Sequence, residues 1–282
     1  MANWDQLGTD GNVDDRRGMG GGFGLGSSLL TFGAVMILGF FGINADPRLV
    51  AELVQLTGIG SSSQTTQSAQ YQGKDSYEQF TRSVLGSTND FWTKQFTTTS
   101  RGYEQPKLVL FRGATQSGCG VATSDVGPHY CPNDSTIYLD ETFFDVLKQQ
   151  LGGSNGDVAQ AYVIAHEVGH HVQNQLGIMD QVQNSSAYQA TGENSLSVKL
   201  ELQADCYAGL WARSVKDQGI FENDQEINEA LSAASAVGDD RIQKETTGSV
   251  SPETWTHGSA EERVASFKRG YQSTSMQVCS LD

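Results

Sequence analysis

The stretch AYVIAHEVGHHVQNQLG, residues 161–177, decides the expected fold around it. Apolar residues recur in it at helical spacing, so it predicts an α-helix with one buried face. His166 and His170 are four positions apart, which on a helix puts their side chains on one face, about 6 Å apart at Cβ. Glu167 comes directly after His166, turned about 100° around the helix axis. The pattern therefore predicts two imidazoles that can close on one metal ion, with a carboxylate beside them.

Zinc is the metal that this pattern favours. In the H-E-x-x-H motif of zinc peptidases the two histidines bind the ion, and the glutamate is the general base that takes a proton from water. We therefore expect His166 and His170 as ligands, Glu167 as the base and one Zn²⁺ per chain. The alternative is a helix with two core histidines and no metal.

A catalytic zinc site needs a third protein ligand and one open position for water. Residues 199–212, KLELQADCYAGLWA, predict a second helix on which Glu201 and Asp205 share one face. Their neighbours are mostly apolar, so two buried carboxylates would be costly there without a cation. We expect Glu201 to bind the ion and Asp205 to accept the second ring N–H of a ligand histidine, as in gluzincin peptidases. The alternative is that both carboxylates line a solvated helix face.

The composition argues against one class of partner. Among 282 residues, 33 Asp and Glu outnumber 18 Lys and Arg, which gives a formal net charge of −15. Nucleic-acid binding requires clustered basic side chains, and so acidic a chain does not offer them. We therefore expect no nucleic-acid partner and interpret the charge as favouring solubility.

The four cysteines are an even number, which is compatible with two disulfides in an oxidising compartment. Three pairings are possible in principle. Cys119 and Cys131 lie close together in a loop rich in Gly, Ser and Pro, so we favour that pair, which leaves Cys206 with Cys279. A thiolate zinc site is a weaker interpretation, because the chain contains no C-x-x-C pair.

A membrane anchor is predicted near the N-terminus. Residues 23–43 contain no charged side chain and are mostly apolar, and a helix of about 20 such residues crosses a bilayer. A cleaved signal peptide is the alternative. Residues 1–22 would be a short polar segment before this transmembrane helix, and residues 44–75 a flexible linker after it. Arg16 and Arg17 precede the helix and Arg48 follows it, which together with the cysteines favours a single-pass protein whose catalytic domain is extracytoplasmic.

The body, residues 76–282, is predicted to be rich in helices. Helical spacing of apolar residues marks residues 77–96, 157–176, 195–216, 224–242 and 260–271. KLVLF at 107–111 and TIYL at 136–139 predict strands, and KLVLF is a candidate edge strand beside the cleft for an extended substrate. The expected fold class is therefore α+β: a helix-rich, zincin-like metallopeptidase domain with a small sheet, preceded by one transmembrane helix.

Eight stretches can be compared with known families: NVDDRRG (12–18), LVLFRGATQSGCG (108–120), VGPHYCPND (126–134), IYLDETFF (137–144), AHEVGHHVQ (165–173), ELQADCYAGLWA (201–212), GDDRIQ (238–243) and THGSAEERVASFKRGY (256–271). Through them the chain resembles, over most of its length, the YpfJ-type neutral zinc metallopeptidases, a bacterial family. The resemblance implies a single N-terminal membrane anchor, a gluzincin-like domain and a bacterial cell membrane as location. It implies little about the substrate; the peptide or protein substrate that we expect follows from the peptidase motif.

A more distant likeness concerns His257 and Arg263. CAAX prenyl proteases and HtpX-type proteases also combine H-E-x-x-H with a downstream E-x-x-x-D, followed by a His and an Arg six positions apart. This likeness implies that His257 donates to the oxyanion of the tetrahedral intermediate and that Arg263 braces the site. The alternative is a capping loop in which Arg263 pairs with Glu261 or Glu262.

Two other functions remain open at this point. One is a non-catalytic anchored module that keeps a zinc-containing fold for binding a partner. The other is a metal-dependent amide hydrolase that acts on cell-wall material.

Overall fold

The computed structural model describes residues 2–7, 10–18, 75–185, 190–221, 223 and 225–281. The predicted transmembrane helix at 23–43 lies outside these residues, as does all but the last residue of the predicted linker at 44–75. Both therefore stay predictions. Among the residues that are described, no helix has the length and apolar character needed to cross a bilayer.

Helices form most of the body, and several begin at side chains that cap them. Ser195 accepts a hydrogen bond from the backbone N–H of Val198, and Ser259 forms a reciprocal capping box with Glu262. Such caps satisfy N–H groups that the first turn of a helix leaves without a partner. The helices are α1 (Ser76–Phe96), α2 (Phe143–Gln149), α3 (Asp157–Gln175), α4 (Ile178–Gln183), α5 (Leu196–Asp217), α6 (Ile227–Ala236), α7 (Asp239–Thr247) and α8 (Ala260–Tyr271).

Residues 224–242, predicted as one helix, are divided between α6 and α7. The break lies at Gly238, where a Cβ would be 2.3 Å from the backbone nitrogen of Ala260. Asp239 then starts α7 and is fully buried. Its carboxylate accepts hydrogen bonds from the backbone N–H groups of residues 256, 257 and 258. The break therefore supplies the anchor for the loop that carries His257.

The strands form a small sheet and a separate hairpin. They are β1 (Val13–Asp15), β2 (Lys107–Leu110), β3 (Ala114–Ser117), β4 (Gly120–Thr123), β5 (His129–Cys131) and β6 (Thr136–Leu139). The sheet has the order β1-β2-β6-β5; β1 and β6 run parallel to β2, and β5 runs antiparallel to β6. Strands β3 and β4 pair with each other as the hairpin. The helix-rich α+β fold is confirmed, with β2 and β6 at the predicted strands.

The position of KLVLF corrects one expectation. Its strand β2 lies inside the sheet between β1 and β6, so it offers no free edge to a substrate. The edge strand on the far side of β6 is β5, which lies in a region that the sequence predicts as a loop. A three-residue strand flanked by a glycine and two prolines carries too weak a local signal to be recognised without its partner.

The N-terminal residues belong to the body. Trp4 is buried, and its ring stacks on that of Trp211, with ring centroids 6.2 Å apart. Strand β1 extends the sheet beside β2. Residues 2–7 and 10–18 therefore pack against the domain that was predicted to start at residue 76. They do not form the separate polar segment that the sequence predicts for residues 1–22.

Two glycines allow α5 and α8 to cross in close contact. A Cβ at Gly209 of α5 would lie 2.1 Å from the carbonyl oxygen of Phe267, and a Cβ at Gly270 of α8 would lie 1.9 Å from that of Cys206. No larger residue fits at these distances. The contact places one face of α8 against the part of α5 that carries Glu201 and Asp205.

Both predicted disulfides are formed. Cys119 bonds to Cys131, which joins the turn of the β3–β4 hairpin to β5. Cys206 bonds to Cys279, which holds the C-terminal segment against α5. No cysteine is left free. One disulfide therefore stiffens the edge strand β5, and the other stiffens α5. Both elements pack against α3, the helix that carries His166 and His170.

Candidate metal centre

His166, His170 and Glu201 come together between α3 and α5. One possible ligand atom from each residue can be chosen so that all three lie within 4.8 Å of one another. The carboxylate of Glu201 has one oxygen 3.2 Å from Nε2 of His166 and the other 3.3 Å from Nε2 of His170. Donors bound at about 2.0–2.1 Å to a tetrahedral zinc ion lie roughly 3.3 Å apart. The spacing of the three groups therefore fits zinc.

The crossing of α3 and α5 brings these donors together. At Gly169, between the two histidines, a Cβ would lie 3.0 Å from the Cα of Ala204. Because Gly169 has no side chain, α5 can pack directly against the turn of α3 that holds His166 and His170. Glu201 lies one turn before Asp205 on the same face of α5 and reaches the gap between the two imidazoles.

Hydrogen bonds at Nδ1, the ring nitrogen that faces away from Glu201, fix the orientation of both imidazoles. Nδ1 of His166 donates to Oδ1 of Asp205 at 2.8 Å, and Nδ1 of His170 donates to Oε1 of Gln173 at 2.9 Å. With hydrogen on Nδ1, each neutral ring points the lone pair of Nε2 towards Glu201. Three acceptors then face one another in a buried space, which is stable only with a cation or protons between them.

The pKa values of His166 and Glu201 also indicate that this centre favours bound positive charge. Burial lowers the pKa of His166, but the carboxylates of Asp205 and Glu201 outweigh burial and raise that pKa to about 10. Burial likewise raises the pKa of Glu201, but the two histidines hold it well below its usual range. The centre therefore has an excess of negative charge that favours bound positive charge, and the donor set fits a divalent cation.

Asp205 is the most heavily bonded carboxylate of the centre. It accepts from His166, from the hydroxyl of Tyr162 at 2.5 Å, and from Nε and Nη2 of Arg263 at 2.8 and 3.0 Å. Burial raises the pKa of Asp205, but the Arg263 guanidinium and His166 outweigh it and lower that pKa to about 2. Asp205 is therefore an anion that orients His166, and Arg263 balances its charge.

Arg263 pairs with Asp205 and not with Glu261 or Glu262, the partners considered in the alternative. Its side chain is almost fully buried, and Nη2 lies 3.8 Å from an oxygen of Glu201. Glu262 is instead part of the cap that starts α8. The close α5–α8 crossing is what carries Arg263 to Asp205.

Gln173 is a site residue that the sequence reasoning missed. It accepts from His170, and its own amide donates to the carbonyl of Leu200 at 2.7 Å and to the side chain of Gln203 at 3.1 Å. Gln173 thus links His170 on α3 to the backbone of α5 directly before Glu201. Its position three residues after His170 on the same helix was the available signal. Tyr162, which donates to Asp205, lies four residues before His166 and could have been found in the same way.

Glu167 faces the cleft beside the metal donors. A cavity of about 510 Å³ is lined by Glu167 together with the three donors, His257 and Arg263. Among the described residues, none forms an ion pair with the Glu167 carboxylate or donates a hydrogen bond to it. A buried, unpaired carboxylate at the wall of a cleft is available to accept a proton from water held there.

His257 lines the same cavity from the loop before α8. Its Nδ1 lies 3.2 Å from the fully buried carboxylate of Asp239, which also holds the backbone of the loop, and its side chain is 41% exposed. This leaves the imidazole anchored on one side and open to the cleft on the other. Asp239 therefore supports both the backbone of this loop and the ring of His257.

The two remaining histidines do not approach the donors as ligands. His171 is fully buried: Nε2 donates to the carbonyl of Glu104 at 2.6 Å, and Nδ1 accepts from the hydroxyl of Tyr130 at 3.1 Å. Burial lowers the pKa of His171 to about 4, so the ring is neutral and ties α3 to β5. His129 stacks on Tyr138 at the cleft wall.

Known proteins are similar to this chain over nearly its whole length. The sequence profile of the family described as "Putative neutral zinc metallopeptidase" matches residues 2–281. The chain is 41% identical over 280 residues to the Escherichia coli K12 protein named "Uncharacterized protein YpfJ", which covers 95% of this chain and 94% of that protein. It is 49% identical over 187 residues to the Mycobacterium bovis protein named "Uncharacterized protein Mb2605", or 63% of this chain and 62% of that one. No solved structure gives a significant match.

Proposed function

Because the chain belongs to the neutral zinc metallopeptidase family, we propose that it hydrolyses peptide bonds with one zinc ion held by His166, His170 and Glu201. One observation carries the proposal: the three donors converge at zinc spacing on a cleft whose wall also holds the unpaired carboxylate of Glu167. A structural zinc site is closed by four protein ligands, whereas the described residues offer three here, which is the number found in catalytic sites.

When bound, a zinc ion supplies Lewis-acid chemistry that lowers the pKa of water and polarises a carbonyl group. Glu167 accepts the proton of the attacking water and passes it to the leaving amine. His257 donates a hydrogen bond to the oxyanion of the tetrahedral intermediate from its open side, while Asp239 holds the opposite ring nitrogen. Asp205 and Arg263 act through His166, which they keep oriented.

The substrate enters along β5. This strand is at the edge of the sheet, and His129 and Tyr130 line the cleft that contains Glu167. An extended peptide can add to such an edge through backbone hydrogen bonds, which gives affinity with little dependence on sequence. The cleft walls are largely apolar, so we expect preference for an apolar side chain next to the cleaved bond. The apolar wall residues are Val126, Phe143, Val163, Met179, Val237 and Ile242.

The test is metal analysis of the purified full chain combined with digestion of a peptide library and of cell-wall fragments. We expect close to one zinc ion per chain and cleavage of peptides. Glu167→Gln should abolish cleavage and leave the zinc content unchanged. Glu261→Gln, which makes the same chemical change at an exposed position on α8, is the matched control and should retain activity.

Three results would contradict the proposal. Cleavage of wall fragments alone would identify a non-peptide amide hydrolase. Stoichiometric zinc without cleavage of either substrate class would support a binding module. Full activity of Glu167→Gln would remove Glu167 as the base.

A further inference from the structure

Residues 10–18 contain strand β1 (Val13–Asp15), which is an integral part of the body. Val13 pairs with Leu108 and Asp15 with Leu110 in parallel register. The backbone N–H of Leu108 donates to the carbonyl of Asn12 at 2.9 Å, and that of Arg16 donates to the carbonyl of Leu110 at 2.8 Å. Since β2 is the strand that also pairs with β6, β1 is part of the sheet that ends at the cleft.

Residues 2–7 fill the core on another side of the body. The Trp4 ring is 7% exposed and contacts Trp211, Phe80 and Phe221. The carboxylate of Asp157, the first residue of α3, accepts from the indole N–H of Trp4 at 2.9 Å and from the backbone N–H of Ala2 at 2.8 Å. Burial of a tryptophan on this scale contributes about 3–5 kcal/mol, so this segment is not a loosely attached tail.

Arg17 joins the segment 10–18 to the start of α1. Its side chain is 2% exposed and pairs with Asp15 at 2.6 Å, Asp75 at 2.9 Å and Glu141 at 3.5 Å. Asp75 is the N-cap of α1. The two ends of the stretch 19–74, which includes the predicted membrane segment, therefore meet at one ion cluster on one side of the body.

We infer that residues 2–18 and 75–281 lie on the same side of any bilayer that residues 23–43 enter. A bilayer core is about 30 Å thick, so β1 cannot pair with β2 across it. The stretch between them must cross the membrane an even number of times or not at all. This replaces the predicted single-pass arrangement, in which residues 1–22 and the catalytic domain lie on opposite sides.

The sequence after residue 43 argues against a second crossing. Asp46, Arg48 and Glu52 interrupt it, and the stretch that follows is rich in Gly, Ser, Thr and Gln. No further run of about 20 apolar residues is present in 44–74 to span the hydrocarbon. A crossing by residues 23–43 would therefore have no second span to return the chain, so any contact of this run with a bilayer is made from a single side.

The arginine bias that suggested a cytoplasmic N-terminus has a different explanation. Arg17 is buried in its ion cluster, and Arg16 pairs with Asp14 and donates to Thr115 at 3.0 Å. Both arginines are engaged in the fold and are not free to interact with a membrane surface. The disulfides favour the oxidising side for the body and the N-terminal residues alike.

The test is the topology of the full chain in cells. An epitope tag is placed after Met1 in one version and after Asp282 in another, and intact spheroplasts are treated with protease. We expect both tags to be removed. Protection of both would still place the two segments on one side and would move the body to the cytoplasm. Removal of one tag with protection of the other would overturn the inference.

A second measurement does not depend on the terminal tag at residue 1. A specific protease site is inserted between residues 61 and 70, and the detergent-solubilised full chain is cleaved and purified through its C-terminus. We expect the N-terminal fragment to remain bound to the body. Arg17→Ala should reduce the retained fraction in moderate urea by about tenfold or more, because it removes the cation that pairs with the buried carboxylate of Asp15. Arg16→Ala removes a more exposed arginine and should reduce it less than about twofold. A wild-type fragment that separates at once would contradict the inference.

Discussion

Asp205 accepts a hydrogen bond from Nδ1 of His166 at 2.8 Å, although the two residues are 39 positions apart and lie on different helices. The same carboxylate is the main partner of Arg263, which lies 58 positions further along the chain. One carboxylate therefore connects α3, α5 and α8 at the metal centre. Its removal is expected to affect metal binding and folding together.

The first prediction concerns this contact. Asp205→Asn should weaken zinc binding by about 10- to 100-fold, because the amide cannot orient His166 as the carboxylate does. It should also destabilise the metal-free protein by about 3–5 kcal/mol, since Arg263 is left buried without its counter-ion. Chelator competition measures the affinity, and urea unfolding with EDTA measures the stability. The control is Asp217→Asn on the same helix, where Asp217 forms an exposed ion pair with Arg213. This variant should change stability by less than about 1 kcal/mol.

The second prediction concerns Gln173 as a positioning residue. Gln173→Ala should weaken zinc binding by about tenfold, because His170 loses the acceptor at its Nδ1 and α3 loses its link to Leu200. Gln160→Ala makes the same change on the same helix, at a side chain that donates to the carbonyl of Asn155 and is remote from the three donors. Zinc affinity measured by chelator competition should separate the two variants. Equal affinities would show that Gln173 only packs.

The third prediction concerns His257. His257→Ala should lower kcat by about a hundredfold to a thousandfold with little change in KM, because its hydrogen bond is made mainly in the transition state. Zinc content should stay near one per chain. His129→Ala removes another imidazole from the cleft wall and serves as the control. A rise in KM alone, or an equal loss of activity in both variants, would assign His257 to substrate binding or to cleft shape.

The fourth prediction concerns the helix crossing. Gly270→Ala should destabilise the protein by about 1–3 kcal/mol or more, because the new Cβ would lie 1.9 Å from a backbone oxygen that cannot turn away. Gly102→Ala, at an exposed position with no atom within 4 Å of the added Cβ, should change stability by less than about 0.5 kcal/mol. Urea unfolding of both variants checks the difference. Comparable stabilities would mean that α8 can shift without cost.

The fifth prediction compares the two disulfides. Replacing Cys206 and Cys279 by alanine opens a loop with a sequence separation of 73, whereas replacing Cys119 and Cys131 opens one of 12. Loop-closure entropy gives about 4 kcal/mol for the first and about 3 kcal/mol for the second. The Cys206–Cys279 variant should therefore unfold at lower urea. Gln203 donates to the carbonyl of Cys279, which adds to that loss. The reverse order of midpoints would contradict this ranking.

Local spacing was enough to predict several parts of the molecule. The four-residue step between His166 and His170, and between Glu201 and Asp205, specifies a shared helix face whatever the rest of the fold does. The helices α3, α5 and α8 follow the predicted ranges within a few residues, since their apolar periodicity and caps are encoded within each segment. The disulfide pairs followed from the number and spacing of four cysteines.

Tertiary contacts decided the remainder. In the order of the sheet, β2 lies inside and β5 lies at the edge. The pairing of β1 with β2 brings together residues that are more than ninety positions apart in the chain. The N-terminal strand was not predicted because three residues carry too little local preference to indicate a distant partner. Gln173 and Tyr162 were missed because an amide or a hydroxyl on a helix has no characteristic spacing until the acceptor on the other helix is known.

The sequence by itself determined which chemical groups could form a zinc site, because helical geometry converts a four-residue spacing into neighbouring side chains. Only the tertiary structure decided that Glu201 reaches both imidazoles, that Arg263 reaches Asp205 and that the N-terminal strand lies in the same body as the cleft. Those contacts depend on how closely helices and strands pack, which is set here by glycines at crossings and by pairing between remote segments.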